Sequence, residues 1–252
     1  MVNGKETKVF LEPLEHRYFT VSGEEYSSVS KVRKNIKKPF DANMVSYMVA
    51  KSRMKNNGHE DIEFYKNQVL GEWKKKNDHS IVVGNYIDGA IDTYFTTTDV
   101  VNEELRPMLE ELGAMMSGYK KRLTKAVVWS EAHKVAGEID KMCMVSKDKA
   151  DYFDYKTNFY KGMEYVNKRG DYMLDPMSHL QDCNYNDLCL QLSIYALMGE
   201  LCYEVKPRVL SGIYIDTEDN FKIHRIPVPY MKYEAWSILE HWRKNNVGND
   251  NF

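Results

Sequence analysis

Apolar positions recur along this chain with two different periods. From residue 134 to 145 and from 150 to 157, Val, Ile, Met, Tyr and Phe dominate, and Ser146-Lys147-Asp148-Lys149 between them is a polar turn of hairpin length. A further strand is predicted just before this hairpin, Ala126 to Glu131, and another well after it, Arg208 to Ile215. Helical spacing governs Asn102 to Arg122, where Leu105, Leu109, Leu112, Met116 and Tyr119 share a face and Asn102 is placed to act as N-cap. A second helix is predicted from about Asn186 to Tyr203. From residue 102 onward the order is therefore helix, three strands, helix, strand.

At 252 residues the chain can bury one substantial core, and no Pro/Gly/Ser-rich linker divides it. A single domain over 1–252 is expected, residues 1–100 forming a hairpin and helical elaboration and 101–252 the core. No N-terminal apolar run of signal-peptide type and no bilayer-length stretch is present, so a cytoplasmic protein without a membrane partner is expected. The four cysteines, Cys143, Cys183, Cys189 and Cys202, include no C-x-x-C pair and are expected as free buried thiols. His179 with Cys183 has a spacing that zinc ligands use, but a packed core pair explains it better.

Charge is segregated along the chain. Between Lys31 and Lys76 there are twelve Lys/Arg against five Asp/Glu, a surplus of seven that leaves the remainder near -9, given a formal net charge of -2. The cluster Lys31, Arg33, Lys34, Lys37, Lys38 and the run Lys74, Lys75, Lys76 suit a groove that tracks a phosphate backbone, with Tyr47, Phe64 or Trp73 as stacking surfaces. Ordinary solvated helix faces account for the same pattern.

The hairpin carries the chemistry. Its turn sets Asp140 and Asp154 almost opposite one another, and alternation puts Asp154 and Lys156 on one face, with Phe153 and Tyr155 on the other, toward the core. Two carboxylates about 4.5 Å apart repel by roughly 3.7 kcal/mol at an effective dielectric near 20, so they need a proton, a cation, or both. Hard oxygen ligands with room for water and a phosphate suit Mg2+ or Mn2+.

These residues resemble the PD-(D/E)XK nuclease superfamily, Ile139-Asp140 standing for its "PD" and Asp154-Tyr155-Lys156 for its "(D/E)XK". Gln191 and Tyr195, four apart on one helix face, look like the Q-x-x-x-Y motif of the RecB-type, lambda-exonuclease-like branch. The approach from His179 to Tyr185 is similar to phage and viral members. Upstream, Gly84-Asn85-Tyr86-Ile87-Asp88-Gly89-Ala90-Ile91-Asp92 resembles a family helix written G-x-x-x-H-x-x-I-E, with Asp88 in place of the His and Asp92 in place of the Glu. Tyr26-Ser27-Ser28-Val29-Ser30 and Lys38-Pro39-Phe40-Asp41 are similar to the group's entry segment.

The resemblance implies an α/β, restriction-endonuclease-like core, a central mixed sheet flanked by helices in helix-strand-strand-strand-helix-strand order, with a helical N-terminal elaboration. It implies a metal-dependent DNA exonuclease of phage-type recombination, repair or genome processing, in the cytoplasm of the host cell if phage-encoded. Asp140, Asp154, the backbone carbonyl of Tyr155 and Glu131 would hold the metal, and Asp88 would reach a second metal or the attacking water. Lys156 would orient that water or balance charge on the phosphate. Gln191 and Tyr195, with Lys74, Lys75 and Lys76, would position DNA that is single-stranded or has free ends, and a single-strand annealing protein is a candidate partner. An iron–sulfur cluster is not expected, because Cys143 falls inside the hairpin and the other cysteines are spaced for helix packing. Two other classes stay open: a nucleic-acid-binding module without turnover, and an inhibitory partner of another protein.

Overall fold

The structure is a computed structural model and describes residues 2–57, 61–157, 166–167 and 170–247. The chain forms two compact units, Met1–Lys37 with Ala90–Phe252, and Lys38–Gly89. The expected elaboration, residues 1–100, does not coincide with either unit. The N-terminal hairpin belongs to the same unit as the hairpin of Asp140, and the second boundary, after Gly89, falls inside a helix, where no change in composition marks it.

The first unit is built on an eight-stranded mixed sheet flanked by helices. Its strands are β1 (Val9–Glu12), β2 (Arg17–Thr20), β3 (Glu25–Ser28), β4 (Lys121–Ser130), β5 (Val135–Met144), β6 (Lys149–Lys156), β7 (Lys206–Asp216) and β8 (Lys222–Val228). The helices of this unit are α1 (Val29–Lys34), α4 (Arg106–Met116), α5 (Asn184–Tyr203) and α6 (Lys232–Asn246). The other unit holds α2 (Ala42–Asn57) and most of α3 (Ile62–Thr97), whose last two turns pass into the first. Within that second unit Arg53 clamps α2 to α3 through two hydrogen bonds to Glu72 of 2.9 and 2.8 Å. No helix among the described residues is long and apolar enough to cross a membrane.

Local chemistry explains most boundaries. Asn102 caps a single 3-10 turn, Glu103–Leu105, its Oδ1 accepting from the Glu104 amide at 2.9 Å, and α4 follows with Leu109, Leu112 and Met116 fully buried. The helix stops at Met116, before Ser117-Gly118, and not at Arg122 as its spacing predicts. β4 starts at Lys121, five residues earlier than expected, because its ladder runs from Lys121 opposite Met144 to Ser130 opposite Val135 and matches the whole of β5. α5 is buried on nearly all sides between the sheet, α1 and α6, which is why its apolar residues show no helical period.

The pairing of β5 creates the feature that positions the site. One edge of β5 is covered by β4. The other edge is shared: β3 pairs in parallel at Val135 and Ala136, and β6 pairs antiparallel from Lys141 opposite Phe153 to Met144 opposite Ala150. Gly137 to Asp140 lie between these two ladders, where the strands part and leave a notch. Beyond Phe153, β6 pairs with β7 alone.

Candidate active site

Extending the β5–β6 register by one step sets Asp140 directly opposite Asp154, as the hairpin length predicts. The ladder does not close there. Asp140 turns its Oδ2 to the backbone amide of Tyr155, 2.7 Å away, the acceptor place a β5 carbonyl would fill if pairing continued. The amide and carbonyl of one residue leave a strand on the same edge, so the Tyr155 carbonyl faces the notch as well.

Asp154 is almost fully buried, and each oxygen has a partner of a different kind. Oδ1 accepts from Gln191 Nε2 at 3.0 Å, and Oδ2 forms an ion pair with Lys156. Gln191 lies 3.4 Å from Tyr195 Oη. Gln191 and Tyr195 are themselves buried, so the structure directs this pair at the Asp154 carboxylate. Phe153 and Tyr155 pack on the opposite face as expected, Tyr155 Oη reaching Met116 Sδ at 3.9 Å.

The Asp140 carboxyl is pushed up to about 7, first by burial and then by the charge of Asp154, with Lys156 and Lys125 pulling the other way. Lys125, on β4, is a second cationic neighbour of this arrangement beside Lys156 and is not among the expected site residues. Its Nζ stands 3.6 Å from Asp140 Oδ1, 3.9 Å from Asp92 Oδ2 and 4.0 Å from Glu138 Oε1. On the other face Lys141 is completely buried, bonded to Thr124 and 3.7 Å above the Phe95 ring, and burial lowers its amine to about 8.

The remaining expected site residues lie elsewhere. Glu131 sits in the β4–β5 turn, exposed and bonded to Lys8 at 2.9 Å. From Val135, where that turn ends, to Asp140 is five residues of strand, about 17 Å. Glu131 is therefore corrected as a member of the site, because the register puts it at the far end of the hairpin. Asp88 belongs to the other compact unit; one helical turn later Asp92 reaches Lys125. Lys74, Lys75 and Lys76 are exposed, Lys74 bonding Asp78 at 2.6 Å, and as consecutive residues of α3 they fan around the helix.

On α1, Arg33 bonds Asp187 through Nη2 at 3.1 Å, while its buried Nε and Nη1 have no hydrogen-bond partner among the described residues. The cysteines are free thiols, Cys143, Cys183 and Cys189 buried and Cys202 partly exposed.

Donor chemistry decides whether a cation suits this notch. Two opposed carboxylates and a carbonyl are hard oxygen donors, and the buried Asp154 Oδ2 is ion-paired with the Lys156 ammonium. Among the described residues no group of three or more His, Cys, Asp or Glu is arranged to hold a metal ion as it stands. The set therefore suits a cation that takes one or two carboxylates and fills its other positions with water and substrate oxygens, as Mg2+ does, and not a closed protein cage.

No family model matches the chain, and no curated protein matches it by sequence. Among solved structures, a crystal structure from Eubacterium rectale named "putative exonuclease" is similar at 15% identity and a TM-score of 0.41, over 87% of this chain and 78% of that one. A second, SSO0001, is similar at 14% identity and a TM-score of 0.28, over 65% of this chain and 69% of that one.

Proposed function

We propose that the chain is a divalent-cation-dependent nuclease of the PD-(D/E)XK type that hydrolyses phosphodiester bonds in DNA. The observation that carries this reading is the meeting of Asp140, Asp154 and Lys156 at the point where β5 and β6 part, with Gln191 fixing Asp154 from behind. The succession α4, β4, β5, β6, α5, β7 along the chain supports a restriction-endonuclease-like core.

Asp140, Asp154 and the Tyr155 carbonyl would hold Mg2+ or Mn2+. Bound there, the cation would supply Lewis acidity toward the phosphate and lower the pKa of a coordinated water. Gln191 keeps Asp154 in one orientation, so no reorganisation is needed as the substrate arrives. Lys156 supplies the positive charge that balances charge developing on the phosphate. Arg33, with two buried guanidinium donors to offer, suits a further phosphate oxygen.

Digestion from DNA ends, in phage-type recombination or repair, is the form of this activity we favour, with a single-strand annealing protein as companion. Matched linear and covalently closed circular DNA test it: with Mn2+ the linear form should yield short products while circles persist. Rapid internal cutting of circles would point to an endonuclease. A DNA-binding module without turnover is the second reading, and the ammonium of Lys125 beside Asp140 is the observation that favours it. In that case neither DNA form yields products.

A further inference from the structure

Lys125 has two properties that set it apart from the other lysines around the notch. Its ammonium is within 4.0 Å of carboxylates contributed by two different elements, Asp92 on α3 and Glu138 and Asp140 on β5. Its backbone adopts φ +52°, the left-handed region, in the interior of a strand. A lysine gains nothing from that conformation, which favours Gly, Asn and Asp, so the surroundings hold it there against its preference. The strand is regular on both sides, Thr124 opposite Lys141 and Ala126 opposite Ile139, and Lys125 faces Asp140 at the one step between them.

We propose that Lys125 is a tethered counter-ion that holds the acidic notch together before the divalent cation arrives and sets how much cation is needed to fill it. The proposal rests on the nuclease reading above, in which Asp140 is a ligand. A unit positive charge at 3.6 Å from Asp140 Oδ1 offsets part of the repulsion among Asp92, Glu138 and Asp140 without any ion. The same charge opposes a dication at Asp140, so the site fills only when the metal outcompetes the amine. Lys125 acts through Asp140, as a positioning residue.

Mn2+ titration of the full chain by electron paramagnetic resonance separates this role from a merely structural one. Lys125→Asn removes the charge and tolerates the left-handed backbone; Lys125→Arg keeps the charge; Asp154→Asn removes a ligand. The neutral variant should bind Mn2+ about tenfold more tightly, Lys125→Arg should stay near wild type, and Asp154→Asn should lose binding. Saturating Mn2+ should raise the thermal midpoint more in Lys125→Asn than in the wild type. Unchanged or weaker Mn2+ binding in Lys125→Asn, with Asp154→Asn still deficient, overturns the counter-ion role and leaves the metal site standing. No Mn2+ binding by the wild type overturns both. If the neutral variant does not fold, amine labelling of the wild type read by mass spectrometry decides. Mn2+ should raise modification of Lys125, and equal labelling with and without Mn2+ overturns the proposal.

Discussion

The ring of Tyr195 lies so close over Gly137 that a Cβ on Gly137 would stand 2.4 Å from Tyr195 Cε1 and 2.9 Å from Val29 Cγ2. Gly137 therefore lets α5 approach β5 closely enough for Gln191, one turn before Tyr195, to reach Asp154. Gly137→Ala should push Tyr195 back, destabilise the protein by about 1–3 kcal/mol as overpacking does, and lower nuclease activity further than stability alone explains. Thermal denaturation together with activity measured well below the midpoint checks both parts.

Gln191 is predicted to act through Asp154 and not by contact with DNA. Gln191→Leu should lower Mn2+ affinity or turnover by roughly 10–100-fold, the usual cost of losing a partner behind a metal ligand, while DNA affinity without metal stays unchanged. An equal loss of metal-free DNA binding would place Gln191 on the DNA instead.

Lys156 is predicted to matter in the reaction more than in metal capture. Removing its ammonium from Asp154 leaves that carboxylate at least as available to a cation, so Lys156→Ala should keep Mn2+ binding while turnover falls by orders of magnitude. Calorimetric Mn2+ titration beside single-turnover kinetics makes the comparison, and full turnover in the variant would remove Lys156 from the mechanism.

The raised Asp140 carboxyl gives the metal response a direction with pH. Its folded-state proton affinity exceeds that of the unfolded chain, so ionising it costs stability as pH climbs from the ordinary carboxylate range toward about 7, and the cost is complete above that value. A cation held by the ionised form offsets this cost. The rise in thermal midpoint on adding Mn2+ should therefore be larger at pH 8 than at pH 6, and Asp140→Asn should remove the difference.

Much of the core was legible because its signals are local. The β5–β6 hairpin follows from two apolar runs and a four-residue polar turn, and its length alone sets Asp140 across from Asp154. Gln191 and Tyr195 fall on one face by helical spacing, but only the packing of α5 shows that they point at Asp154. Glu131 enters the expected site only through the resemblance, and pairing along all of β4 carries it to the far turn. Lys125 was missed because β4 was expected to begin at Ala126, one residue too late to include it. The division at Gly89 leaves no mark, since α3 runs through it as one helix.

Single-turnover hydrolysis of end-labelled linear DNA, with and without Mn2+, by the wild type and by Asp154→Asn, shows whether Asp154 and a divalent cation together cleave DNA. Products should form only from the wild type and only with the cation, while the variant remains folded and still binds DNA. Equal cleavage by Asp154→Asn, or wild-type cleavage that persists when the cation is chelated, would contradict that joint role.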